Sequence, residues 1–225
     1  MLNRNYTKSK KQILKSLKLS KKDRDTNNIA SNLFLKAQVD YYLGNIDSTL
    51  NSYNLLISNY SKSLIYVFKF KVHSNLINVY VNNGRMQDAK KSIDECRKYL
   101  LKGSNNVNPS LLYRSIGNFF VASGNVDSAL IYYEESLLHV NDLHLEELLH
   151  SKVGELFKSL GDFESAHRHL VKSKLLNDSI SLIFKRAAEY ELKYEKLLVE
   201  NNLSNQKLEN ARVNETLKRR NMTII

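Results

Sequence analysis

Six histidines and a single cysteine are the side chains best suited to acid–base, nucleophilic or metal chemistry, and their spacing supports none of the three. A metal site needs three or four converging ligands. His167 and His169 are two residues apart and fall on different faces of a helix, and His73 and His150 are 77 residues apart. Cys96 is alone, which excludes a disulfide framework and a cysteine-based cluster. No Gly-rich phosphate loop, nucleophile elbow or paired-carboxylate motif is present, so no catalytic, metal or cofactor residue is assigned and the chain reads as a non-enzyme. Thirteen tyrosines mixed with lysine would suit single-stranded nucleic acid. The basic side chains, however, gather at the two ends: +7 of the net +11 lies in residues 1–25, and Lys218-Arg219-Arg220 stands near the other end. The middle is almost neutral, so no direct nucleic-acid contact is expected of this segment.

The elements that would position any site are helices. One proline in 225 residues, where average usage gives about eleven, favours long uninterrupted helices. Gly44, Gly84, Gly124 and Gly161 sit between helix-like stretches in the settings LGNIDSTL, NGRMQDAK, SGNVDSAL and LGDFESAH, 40, 40 and 37 residues apart. A fixed period of this size marks a stacked-repeat array. Each glycine suits the left-handed end of one helix, and Asn45, Asn125 or Asp162 after it suits the start of the next. Ala89, Ala129 and Ala166, five residues after their glycines, and Gly117 and Gly154, seven before, let paired helices approach closely.

These motifs resemble the tetratricopeptide repeat over residues 30–176. With each turn glycine as position 15, the aromatic of position 11 is Tyr80, Phe120 and Phe157, and position 7 is Leu76, Ile116 and Val153. The first repeat departs, with Asp40 in place of the aromatic and Thr49 in place of the alanine. Gly103, in the loop GSNNVNPS, marks the longest interruption. The resemblance implies an all-α, right-handed superhelix of antiparallel helix pairs, four repeats over 29–177, with the first helices lining a concave groove for peptide or protein partners. Lys71, Asn75, Asn78, Arg114, Asn118, Lys152 and Lys158 fall on its groove positions. Their amides suit an extended backbone, and their cations outweigh Glu155, which implies an acidic ligand. His73 and His150 fall at position 4, facing the partner helix, and Cys96 at a small packing position.

Outside the repeats, residues 1–28 form a basic segment in which Ile13, Leu14 and Leu17 predict a short helix. From Asp178 onward, Ile180, Ile183, Ala187, Tyr190, Tyr194 and Leu197 recur at helical spacing, as in a capping helix over the last repeat. No Gly or Pro interrupts the chain from there to Arg220, so this helix is expected to run on through 178–220. Within 190–217 a seven-residue frame places Leu192, Val199, Gln206 and Val213 beside Lys196, Leu203, Asn210 and Leu217, a seam for a homodimeric coiled coil or a single solvated helix. The layout resembles the sensory half of Bacteroidetes-type membrane-anchored regulators with a histidine kinase or helix-turn-helix output. That resemblance implies that residues 221–225 begin a membrane span and that the repeats lie outside the cytoplasm in a bacterial envelope. Lys218 to Arg220 run against the positive-inside tendency there. The competing expectation is a soluble cytoplasmic adaptor that dimerises through its C-terminal helix.

Overall fold

A computed structural model describes residues 2–60, 66–102 and 107–222, and all regular structure among them is helical. The helices are α1 (Leu2–Lys22), α2 (Thr26–Tyr42), α3 (Ile46–Tyr60), α4 (Tyr66–Asn82), α5 (Met86–Lys102), α6 (Ser110–Ala122), α7 (Val126–His139), α8 (Leu143–Ser159) and α9 (Phe163–Met222). The chain divides after Ser173 into a helical array and the distal part of α9. In the array, α2–α3, α4–α5, α6–α7 and α8 with the start of α9 form the four antiparallel repeats.

The turn between paired helices is the same in every repeat. Gly44, Gly84, Gly124 and Gly161 hold φ between 69 and 80°, the left-handed region that other residues enter at a cost. In repeat 3 the Asn125 amide then donates to Phe120 O at 2.9 Å and the Gly124 amide to Val121 O at 3.0 Å, which closes the last open carbonyls of α6. The new helix starts when Asn125 Oδ1 accepts from the Ser128 amide at 2.9 Å, and Asp162 does the same for Ser165 at 3.0 Å.

Close approach between paired helices follows the small residues. Ala89, Ala129 and Ala166 are buried. A Cβ on Gly117 would stand 2.4 Å from Tyr133 Cε1, and one on Gly154 would stand 2.7 Å from Leu170 Cγ, so these helices pack at a distance only glycine allows. Cys96 is fully buried between α4 and α5, 3.7 Å from Phe70 O and 3.5 Å from Ser74 Oγ. Burial pushes its thiol up to about 12, so it is the small buried hydrophobe its position suggests.

Repeat 1 is built differently. The Asp40 side chain is fully buried at the aromatic position, with Lys10 Nζ at 2.6 Å, Lys36 Nζ at 2.7 Å and the Ser48 hydroxyl donating at 2.6 Å. Burial alone would raise its pKa, but these three partners more than offset that and hold it below the usual carboxylate value. The buried Thr49 hydroxyl lies within hydrogen-bond reach of Ala37 O and Asn45 O. Lys10 comes from α1, which spans 21 residues where Ile13, Leu14 and Leu17 predicted a short helix. Its Leu17 and Ser20 are buried, Asn32 donates to Ser20 Oγ at 3.2 Å, and Tyr6 stacks on Tyr42.

The array gives way to a second unit after Ser173, a few residues before the boundary read at residue 178, and no helix break marks it. With no Gly, Pro or cap after Asp162, the second helix of repeat 4 continues unbroken to Met222. Of the stripe read as capping, Ile180 is buried and Ile183, Tyr190, Tyr194 and Leu197 are all more than half exposed. Leu192, Val199 and Leu203 of the proposed seam are exposed as well, and at 100° per residue they lie on the opposite side of the helix. Of the remaining sequence expectations, Gly103, the side chains of Val213 and Leu217, and residues 223–225 lie outside the described residues. Among the described residues no helix is long and apolar enough to cross a membrane.

Candidate functional site

Arg114, on the inner face of α6, is the focus of the array's polar face. Its Nε is buried and has no hydrogen-bond partner among the described residues. Burial disfavours its charged form, an effect that the nearby phenols of Tyr42, Tyr133 and Tyr41 oppose. Lys152, on α8, is held below its ordinary pKa by burial and then by repulsion from Arg114, and its Nζ sits 5.7 Å from the centre of the Tyr133 ring. Burial in turn lifts the Tyr133 phenol to about 12. Among the described residues neither cation is ion-paired, so the face carries two partly desolvated positive charges with no carboxylate between them.

Two cavities of opposite character share Arg114. One, of about 180 Å³, is polar and lined by Gln38, Tyr41, Tyr42, Asn75, Asn78, Asn82 and Asn118. The other, of about 530 Å³, lies among α4, α6 and α8. Val67, Phe70, Val107, Leu111, Leu145 and Leu148 form its apolar walls, with Lys71, Asn108, Asn141, Asp142 and His144 also lining it. The groove residues read from the sequence therefore divide. Asn75, Asn78, Arg114 and Asn118 meet in the polar cavity, Lys71 in the apolar one, and Lys152 approaches Arg114 past Tyr133. Lys158 is exposed and lines neither.

The amides are less free than their positions suggested. Tyr133 donates to Asn118 Oδ1 at 2.6 Å, Asn118 donates to Asn78 Oδ1 at 2.7 Å, and Asn78 donates to Ser115 Oγ at 2.9 Å and Ser74 O at 3.2 Å. This relay joins repeats 2 and 3 and uses much of the amide capacity that a ligand would otherwise meet. Asn82 likewise donates to the Tyr41 phenol. Tyr41 and Tyr42 were missed as groove residues because repeat 1 departs from the pattern around Asp40.

A second cluster lies between α8 and α9, where His150 Nδ1 and His169 Nδ1 are 3.0 Å apart. His169 occupies position 23, where repeat 3 has Tyr132. The ring of position 11 reaches both, as Phe120 stacks on Tyr132 and Phe157 packs on His169. Burial lowers both histidine pKa values, and proximity to His169 lowers that of His150 further. Among the described residues no group of three His, Cys or acidic side chains is placed to hold a metal.

Solved structures share this architecture. BtubC (BKLC) from P. vanneervenii is 16% identical, with a TM-score of 0.59 over 79% of this chain and 75% of its own. A thermophilic TPR protein from Thermus thermophilus is also 16% identical, with a TM-score of 0.59 over 81% of this chain and 89% of its own. The fold is that of a tetratricopeptide-repeat array. No family profile matches the sequence, and no curated protein matches it.

Proposed function

We propose that this array is a protein-interaction scaffold whose inner face binds an acidic, extended segment of a partner. The observation that supports this is the pair Arg114 and Lys152, two cations partly withdrawn from water without a carboxylate. A partner's carboxylate would supply the missing charge, and the polar cavity of tyrosines and amides beside it suits a peptide backbone. The test is binding of a peptide array to the wild-type chain and to the double variant Arg114→Glu, Lys152→Glu. Loss of acidic peptides supports the reading, and unchanged binding sinks it.

In the fuller form of the proposal the array is the ligand-sensing part of an envelope-anchored signalling regulator. Ligand binding on the inner face would then be passed to α9. Reading the coding sequence downstream of residue 225 tests it: an apolar span supports it and a polar continuation opposes it. The second reading, an adaptor that dimerises through its C-terminal helix, draws on the exposed stripe Ile183, Tyr190, Tyr194 and Leu197. Sedimentation of the Tyr190→Glu, Tyr194→Glu variant tests that one, since a dimer seamed there would dissociate.

A further inference from the structure

We propose that the apolar cavity among α4, α6 and α8 is a binding site of its own, for a single carboxylate carried on an apolar chain. The carboxylate meets Arg114, and the chain lies between Phe70, Leu111 and Leu148. Three observations carry this. First, the cavity, at about 530 Å³, is of the size that takes small ligands, and its walls are mostly aliphatic and aromatic. An acidic peptide has no use for such walls. Second, Arg114 lines this cavity and has no carboxylate partner among the described residues. A carboxylate accepts from two guanidinium nitrogens together, a geometry arginine favours. Third, the lining charges are Arg114 and Lys71 against Asp142. Asp142 is already engaged as the cap of α8, where it accepts from the Leu145 amide at 2.8 Å. One net positive charge suits a monoanion better than a phosphate dianion. The same headgroup occurs on a free medium-chain acid and on the apolar C-terminal residue of a peptide.

Calorimetric titration of the full chain tests the site with four probes: decanoate, decanol, a blocked tripeptide ending in leucine with a free carboxylate, and the same tripeptide as its amide. At least one carboxylate probe should bind one to one, about tenfold or more tighter than its uncharged counterpart. Decanoate alone would identify a free acid as the source, and the tripeptide alone a C-terminus. Arg114→Gln should remove that preference for charge. Leu148→Trp, which fills the cavity and leaves Arg114 in place, should abolish probe binding but leave internal acidic peptides bound. Binding of neither carboxylate, equal binding of decanol and decanoate, or insensitivity to both variants would overturn the proposal. Failure of acidic peptides to bind would count against the scaffold reading alone, because the cavity probes contain no acidic side chain.

Discussion

Repeats 1 and 3 have the same turn and the same helix pairing, yet they hold their helices together by opposite chemistry. In repeat 3, position 11 is Phe120, stacked on Tyr132 with ring centres 5.4 Å apart, and Gly117 lets Tyr133 seat against the α6 backbone. In repeat 1 the same position is Asp40, clasped by Lys10 and Lys36, and the close contact is made by Ala37 and Thr49. The apolar arrangement needs only shape. The ionic one needs every partner, because a buried charge left alone is far more destabilising than a small void. Repeat 1 uses its ion pair to hold α1, which supplies Lys10 and comes before the first repeat. Repeat 3 has neighbours on both sides and needs no such anchor.

The sharpest way to break the contrast is Asp40→Ala. It strands Lys10 and Lys36 and should lower unfolding stability by about 3–5 kcal/mol in urea titration. The triple change Asp40→Phe, Lys10→Met, Lys36→Leu should recover most of that, whereas a loss below about 1 kcal/mol for Asp40→Ala would mean that the lysines simply turn to water. Next comes Gly117→Ala, which drives a methyl into the Tyr133 ring and should destabilise by about 1–3 kcal/mol. Gly44→Ala and Gly124→Ala meet no neighbouring atom and differ only in backbone strain, so both should lose about 1–2 kcal/mol; unequal losses would show that the two turns are not equivalent.

Acid separates the repeats with the smallest perturbation. Asp40 has a depressed pKa, so its contribution is complete above the unfolded value of about 4 and is lost as pH falls through the folded value. Hydrogen exchange in α1 should therefore accelerate in that range while α6 and α7 hold. The histidines between α8 and α9 act earlier. Their folded pKa values are also depressed, so protons bind the unfolded state more readily, and stability there should decline as pH falls below about 6.5. His169→Phe should flatten that slope, and a slope that survives the change would point to other groups.

The repeat period, the turn glycines and the alanines were legible because each serves a local backbone or packing need that no other residue type meets. Asp40 and Thr49 were legible only as departures. The lysine partners of Asp40 are Lys36, one helical turn earlier, and Lys10, thirty residues away on a helix whose length the basic segment did not disclose. At the candidate site the positions of Arg114, Asn78 and Asn118 followed from the repeat register. Which amides bond one another, and that Arg114 Nε lacks an acceptor, depends on side-chain directions that spacing does not encode. The continuity of α9 had a plain signal, the absence of any stop after Asp162, and the pattern change at Asp178 lies a few residues past the division after Ser173.

Cys96 turns the interior of the array into a timing device. The sequence contains one thiol, and it lies fully buried between α4 and α5 with its pKa lifted far above neutrality, so a thiol reagent meets it only when that helix pair opens. The labelling rate of the unmodified chain thus counts openings of repeat 2, the repeat that the amide relay ties to repeat 3. A ligand bound at Arg114 would register as a slower clock, without any added probe.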